Sequence, residues 1–425
     1  MNDMAKNIIF YGPPGTGKTY LLQKMMSDYI DYQISDEQIR QAFFQYSETW
    51  CLITMIMLQH HGKMLATEIQ QKIDALQLNA PISAVPSLEA HAVTPLIEGM
   101  VREPPYVFLD YGHGYWYMDR IRIQHAMPDF YNRFLSQSDV DRRYAFVTFH
   151  QSFSYEDFVE GIRPEYVKET NHIDYSPKPG VFKLLCTKAL EHPEKQYAIF
   201  IDEINRGNIA EIFGELISLI ELDKRKGMAN ELEVTLPYSK ETFVIPNNVN
   251  IFGTMNSADK SIGTIDIALR RRFDFQAMNP DERVLAQELR MNDIDVEDID
   301  GINLLALFQT MNRRIEILID RNHLLGHALF LKVRTGDDII TVIQHKVIPL
   351  LEEYFFHDLQ KIQLVFNDLT EDGLLRDDAV YCSETIAVDR YFDYSGDYVL
   401  EDKNHYFINP DLQARDLIHV YRNQS

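Results

Sequence analysis

Cysteine is scarce in this chain, and so is positive charge. Three cysteines, Cys51, Cys186 and Cys382, stand far apart in 425 residues. They form no metal-ligand pattern, suit a reducing compartment and read as core thiols. Lys and Arg number 41 against 64 Asp and Glu, a formal net charge of −23. That deficit excludes diffuse, charge-driven binding to nucleic acid over the whole surface, so any such contact has to be local. No run approaches the ~18 apolar residues of a membrane span, and Met1 to Lys6 carry no signal-peptide pattern. The expectation is a cytoplasmic protein with no membrane partner. No nuclease constellation is visible either. The composition, 45% apolar and 25% charged, is ordinary for a soluble globular protein, and the length predicts two to four domains at ~100–200 residues each.

The strongest positive signal lies near the start. Asn7 to Tyr11 read as a short buried strand, followed at once by Gly12-Pro13-Pro14-Gly15-Thr16-Gly17-Lys18-Thr19 and a helical run. This is G-x-x-x-x-G-K-[ST] in the strand-to-helix setting that the phosphate-binding loop requires. The glycines let successive N–H groups converge on phosphates at the positive end of a helix. Lys18 is placed to reach the β- and γ-phosphates, and the Thr19 hydroxyl is a hard oxygen ligand suited to Mg²⁺.

Residues 36 to 140 interrupt the nucleotide domain that this loop opens. Their pattern predicts helices over Ser47 to His60, Thr67 to Leu76 and Ser87 to Met100, then a hairpin of Tyr106–Tyr111 and Tyr115–Met118 across Gly112-His113-Gly114. Three helices and a hairpin resemble a winged helix. Glu89 and Glu98 stand in the third helix with no Lys or Arg before Arg102, which makes it a poor partner for phosphates, so structural or protein-contact duty and DNA contact both stay open.

Tyr144–Phe149 is the next buried strand, and the aromatic and acidic segment His150 to Pro164 reads as packing under a loop with solvated carboxylates. Tyr197-Ala198-Ile199-Phe200-Ile201-Asp202-Glu203 is an apolar run ending in two acids, the form of a fully buried parallel strand. Asp202 would bind Mg²⁺ through water and Glu203 would polarise the water attacking the γ-phosphate, because phosphoryl transfer needs positioning and charge neutralisation. A helix is expected over Asn208 to Leu222. Asp223-Lys224-Arg225-Lys226-Gly227 reads as a solvated basic turn, and Leu232–Leu236 with Thr242–Ile245 as a hairpin. Val249–Met255 is a third core strand whose end places Asn256 to hold the attacking water opposite Glu203. Arg270, Arg271 and Arg272 follow a short helix and precede a fifth strand. Three adjacent guanidinium groups suit a transition-state phosphate.

Together the loop at Gly12, Asp202-Glu203-Ile204-Asn205-Arg206, Met255-Asn256-Ser257-Ala258-Asp259 and Ala268-Leu269-Arg270-Arg271-Arg272-Phe273 resemble the AAA+ ATPase superfamily, and within it the McrB-like motor subunits of modification-dependent restriction systems. His150 to Pro164 is similar to that family's segment after the second strand. Leu325-Gly326-His327-Ala328-Leu329-Phe330 and Ile348 to Phe355 resemble its lid. The resemblance covers about residues 5 to 35 and 142 to 368. It implies an α/β core with a parallel five-stranded sheet over 1–35 and 141–280 and an α-helical lid over 281–368, while the winged-helix-like insertion at 36–140 and an acidic, aromatic tail over 369–425 are read from the residues alone. It further implies Mg²⁺, a ring, usually a hexamer, and DNA translocation for a partner nuclease of the McrC type. Asn256 becomes sensor 1, and an arginine among Arg270 to Arg272 acts in trans on the neighbour's nucleotide. Thr19 and Asp202 become the metal-binding pair.

The chain departs from the family in three respects. Lys260 follows Asp259 where Arg is common, only eleven residues precede Gly12, and the insertion is no part of the family core. Target recognition by this subunit is therefore not implied. His323 and His327 lie four apart, but Gly326 interrupts and no third ligand is evident, so packing or lid contacts are expected. The McrB-like group points to GTP and the wider superfamily to ATP. With no Asn-Lys-x-Asp guanine-reading motif, both remain candidates. Two other readings stay open, a protein-remodelling AAA+ chaperone and a binding platform assembled by nucleotide.

Overall fold

The computed structural model describes residues 5–60, 62–78, 80–93, 101–135, 140–167, 172–259, 267–392 and 401–422. The chain forms two compact units, one of Met1–Phe10, Thr19–Met255 and Ser261–Gln276, the other of Tyr11–Lys18, Asn256–Lys260 and Ala277–Ser425. The first is built on a five-stranded sheet of β1 (Asn7–Gly12), β2 (Tyr144–Thr148), β3 (Tyr197–Asp202), β4 (Val249–Asn256) and β5 (Asp274–Ala277) in the order β5-β1-β4-β3-β2. Next to the edge strand β2, β3 pairs in parallel with β2 and with the central β4, with Phe200 level with Phe146 and Phe252. Tyr197 to Ile201 are buried and Asp202 is half-buried, so the apolar run ends where the acids begin. The helix Val181–Glu191 covers the sheet with Phe182, Leu185, Cys186 and Ala189, the i, i+3, i+4, i+7 face of a helix. Phe158 stacks on Phe182 with ring centroids 4.9 Å apart. Full burial of such side chains is worth about 1.5–3 kcal/mol each.

Three expectations need correcting here. The helix expected over Asn208 to Leu222 runs only from Ile209 to Phe213 before tightening into a 3₁₀ turn, because Gly214 takes φ +50° and breaks the α ladder. The segment after Phe158 becomes the first strand of an antiparallel hairpin, Glu160–Val167 with His172–Pro179. Finally, the carboxylate that opens this strand is not solvated. Glu160 is fully buried, 2.8 Å from Lys183 Nζ, and accepts from the N–H groups of Tyr238 and Ser239 at 3.0 and 2.9 Å. Burial alone would raise its pKa, but Lys183 and the two backbone donors outweigh it and hold the carboxyl at about 2. The folded value lies below the unfolded one, so this contribution to stability is complete above about pH 4.5 and fades as pH falls toward 2. Glu160→Gln is expected to destabilise the protein at pH 7 and to lose much less stability between pH 5 and 3 than the parent. Urea titrations at several pH values measure both slopes, and equal slopes would show that Glu160 is not the group responsible.

The insertion has its own core. Trp50, Ile53, Ile56, Ile69, Leu88, Phe108, Trp116 and Phe130 belong to one apolar cluster that also takes in Ile30 and Tyr32. Helices Thr49–Gln59, Ala66–Ala75 and Ala84–Ala90 accompany a three-stranded sheet in which Tyr115–Met118 lies between Lys63–Leu65 and Phe108–Asp110. The hairpin is as expected. The third helix stops at Ala90 rather than Met100, and residues 94–100, Glu98 among them, lie outside the described residues.

In the second unit the helix Leu304–Leu318 buries Leu304, Leu307, Phe308, Met311 and Ile315 along one stripe, and its N-terminus is capped by Asn303 Oδ1, which accepts from Ala306 N–H at 2.9 Å. The tail belongs to this core. Val380, Tyr381, Leu412, Leu417 and Val420 join the lid's apolar cluster, and the buried Asp368 accepts from the N–H groups of Val380 and Tyr381 at 3.0 and 3.1 Å. Tyr394 and Tyr398 lie outside the described residues. Cys51 and Cys186 are buried free thiols as expected, while Cys382 is only half-buried. Among the described residues no helix is long and apolar enough to cross a membrane.

Candidate active site

The phosphate loop leaves β1 at Gly12 and ends in the helix Lys18–Met26. Gly15 and Gly17 have φ of +74° and +81°, the left-handed conformation that the motif's glycines supply. Lys18 is buried and its ammonium donates to the carbonyls of Gly12 and Pro13 at 2.8 and 2.6 Å, so the amine is held over the loop. Thr16 Oγ1 donates to Pro13 O at 3.0 Å, closing the turn.

The lid segment packs directly on this loop. Ala328 N–H donates to Gly15 O at 2.9 Å, and a Cβ on Gly326 would lie 2.1 Å from the carbonyl carbon and oxygen of Gly15. His327 is buried, and its Nδ1 accepts from Asp281 N–H at 3.1 Å. Burial lowers its pKa, which keeps the ring neutral, and an accepting Nδ1 puts the proton on Nε2. That nitrogen is 3.9 Å from the position a Cβ on Gly17 would take, so the imidazole faces the loop. His323 stands in a separate 3₁₀ turn, bound to Asp320 Oδ1 at 2.7 Å. Among the described residues no cluster of three or more His, Cys, Asp or Glu could hold a metal ion.

The acid pair sits in the other unit. Thr19 Oγ1 donates to Asp202 Oδ1 at 3.3 Å, which unites the two residues the sequence assigns to Mg²⁺. Thr254 on β4, not among the residues singled out from sequence, donates its hydroxyl to Asp202 Oδ1 and accepts from Glu203 N–H at 3.1 Å, so one side chain holds the Asp202 carboxylate and the Glu203 main chain. Its only sequence signal is its place two residues before Asn256. Two hard oxygen donors fit a Mg²⁺ ion that keeps most of its shell as water and phosphate oxygens. Glu203 adopts φ +53°, ψ +48°, a left-handed conformation costing about 1–3 kcal/mol in a residue with a side chain. Its carboxylate pairs with Arg206 Nε at 3.3 Å. Asn256, at the end of β4, accepts from Ala258 N–H at 3.2 Å through Oδ1, which fixes its rotamer.

The three arginines are not equivalent. Arg272 has a side chain only 6% exposed and lies 2.8 Å from Glu221 Oε1, whereas the side chain of Arg271 is 68% exposed and approaches the same oxygen at 3.6 Å. Arg270 is exposed, with its guanidinium carbon 5.4 Å from the centre of the Phe275 ring. Lys224 joins at 2.8 Å from Glu221 Oε2. A hydrogen bond from Lys224, with Arg272 and Arg271 beside it, holds the Glu221 carboxyl below its usual range. In the basic turn beyond it Asp223 and Lys226 are exposed as expected, but Arg225 is fully buried.

Comparison with known proteins gives two family matches and two restriction-system relatives. Residues 131–273 match the AAA domain of the dynein-related subfamily, and residues 303–363 match the α-helical lid domain of McrB. The type IV methyl-directed restriction enzyme EcoKMcrB subunit of Escherichia coli (strain K12) is 37% identical over 252 residues, covering 56% of this chain and 53% of that protein. The BsuMI component YdiS of Bacillus subtilis (strain 168), a type II restriction enzyme component, is 29% identical over 169 residues, covering 32% of this chain and 49% of that protein. The chain thus spans about half the length of the curated relatives it matches. In this chain a segment similar to the dynein-related AAA domain is thus followed by one similar to the McrB lid domain, and 252 of its residues align with a McrB subunit.

Proposed function

We propose that the chain is a Mg²⁺-dependent nucleoside triphosphatase, acting in the cytoplasm as the ring-forming motor subunit of a restriction or anti-phage defence complex that moves DNA for a partner nuclease of the McrC type. The observation that carries the hydrolytic part is the 3.3 Å contact between Thr19, the residue after the phosphate-loop lysine, and Asp202, the acid that ends β3. Lys18 neutralises phosphate charge, Glu203 polarises the attacking water, Asn256 orients it, and an arginine of the triplet serves a neighbouring copy's nucleotide. A bound Mg²⁺ supplies charge neutralisation at the β- and γ-phosphates. The motor and its partners rest on the two restriction-system relatives and on the McrB-type lid.

The test is hydrolysis by the purified chain with GTP and ATP side by side, Mg²⁺ present or chelated. Release of phosphate from either nucleotide, lost on chelation and lost in Glu203→Gln while nucleotide still binds, is the expected result. Similarity to the McrB-like group favours GTP as the better substrate. A Glu203→Gln chain that keeps its full rate would overturn the hydrolytic reading, and a clear ATP preference would overturn the nucleotide choice.

A further inference from the structure

Arg225 is a cation in a place that ordinarily excludes one. Its side chain is fully buried, and its two terminal nitrogens donate to oxygens that carry no charge, Val249 O, Asn7 Oδ1 at 2.5 Å and Ile220 O at 3.3 Å, while its Nε has no hydrogen-bond partner. Desolvating a guanidinium costs several kcal/mol, and replacing a buried ionic group by an apolar one of similar volume is often neutral or stabilising. Stability alone is therefore a weak reason to keep it. Its contacts point elsewhere. Asn7 uses Oδ1 for Arg225 and donates from Nδ2 to Ile220 O at 2.7 Å and Arg272 O at 3.0 Å. The orientation of this carboxamide is over-determined, since a flip would set its oxygen against two carbonyls and its NH₂ against a guanidinium. The residue after Ile220 is Glu221, whose carboxylate holds Arg272 at 2.8 Å and Arg271 at 3.6 Å. The stretch 220 to 225 thus holds Arg271 and Arg272 through the Glu221 carboxylate and meets the main chain at Arg272 by way of Asn7.

We propose that Arg225 and Asn7 form a buried positioning couple for the arginine triplet: Arg225 fixes the Asn7 carboxamide by its oxygen, the amide nitrogen clamps the main chain at Arg272, and that clamp sets the direction in which Arg271 leaves the surface. The couple touches no nucleotide. It acts by placing a group that has to meet a phosphate within a fraction of an ångström, where a displacement of about 1 Å costs on the order of 10²-fold in rate. The inference rests on the reading of the triplet as the trans-acting element of the proposed triphosphatase.

The discriminating variant is Asn7→Asp. A carboxylate keeps, and charges, the partner of Arg225 but cannot donate to Arg272 O and sets its second oxygen against the Ile220 and Arg272 carbonyls, so the clamp is lost. The expected result is a kcat lowered about 10- to 100-fold, with KM within error of the parent and the loss measured at a temperature where the variant is fully folded, so that any drop in melting temperature does not account for it. Activity should return in part when the variant is mixed with Glu203→Gln chains, as for Arg271→Ala. Arg225→Lys is the second variant, because an ammonium cannot span Asn7 and Val249 as the planar fork does, and it should show the same kcat-selective loss. An unchanged kcat in Asn7→Asp would overturn the proposal. So would a loss that only follows the melting temperature, or one that mixing does not restore. Arg271→Ala is run in the same series. If it is inactive while Asn7→Asp is not, the positioning couple falls alone; if Arg271→Ala and Arg270→Ala both keep full kcat, the trans-arginine reading falls with it.

Discussion

Arg271→Ala is expected to lower kcat by ~10³-fold or more with little change in nucleotide affinity, the signature of an arginine that meets charge only in the transition state. The choice of Arg271 within the triplet follows from exposure. Arg272 is 6% exposed and paired with Glu221, so its removal empties a buried site and takes away one of the cations around that carboxylate, and should show first as lost stability, whereas Arg271 is 68% exposed and its Glu221 contact is long enough to be exchanged for a phosphate. Arg270 leans on the Phe275 ring and should contribute less. Trans geometry has its own readout. A Glu203→Gln chain brings an intact arginine and an Arg271→Ala chain brings an intact Glu203, so mixed assemblies contain some complete sites and should recover part of the activity. Mixtures that stay inactive although mixed oligomers form would mean that the arginine acts in cis or only structurally.

The parts that were legible in the sequence are those whose chemistry is local. The phosphate loop is eight consecutive residues, the acid strand is an unbroken apolar run ending at Asp202, and the lid helix Leu304–Leu318 carries its stripe in its own periodicity. The misreadings share a different cause. Glu160 and Arg225 sit in segments whose composition says solvent, and each is buried because a partner arrives from far along the chain, Lys183 in the one case and Asn7, 218 positions away, in the other. Thr254 and Gly326 are small residues whose importance lies wholly in what packs against them. The insertion separates the phosphate loop from Tyr144–Thr148 by more than a hundred residues, and the match to the AAA domain, over 131–273, leaves the loop outside it. A charged residue in a polar stretch carries no local sign of whether water or protein will surround it, because that depends on contacts the fold makes later.

Gly326→Ala should be the most damaging single methyl group in the lid. A Cβ there would lie 2.1 Å from Gly15 C and O and 2.4 Å from Pro14 O, and all three atoms are backbone of the phosphate loop. No side chain can swing aside to make room. Relief requires moving either the lid segment, which is tied to the loop by Ala328 N–H on Gly15 O, or the loop itself, whose amides have to converge on phosphate oxygens. Overpacking of this kind typically costs about 1–3 kcal/mol, and a loop displaced by about 1 Å loses on the order of 10²-fold in function. The expected result is a weakening of nucleotide affinity of about 100-fold or more, together with a lower melting temperature that added nucleotide no longer raises. His327→Ala is the companion variant, because it leaves the backbone contact in place and removes only the imidazole that faces the loop. It should weaken binding by much less. Fluorescence titration with a labelled nucleotide and thermal melts with and without nucleotide measure both. A Gly326→Ala chain that binds and melts like the parent would show that lid and loop are not in van der Waals contact in solution. If His327→Ala proved the worse of the two, the imidazole rather than the close backbone approach would be what couples this lid to its nucleotide.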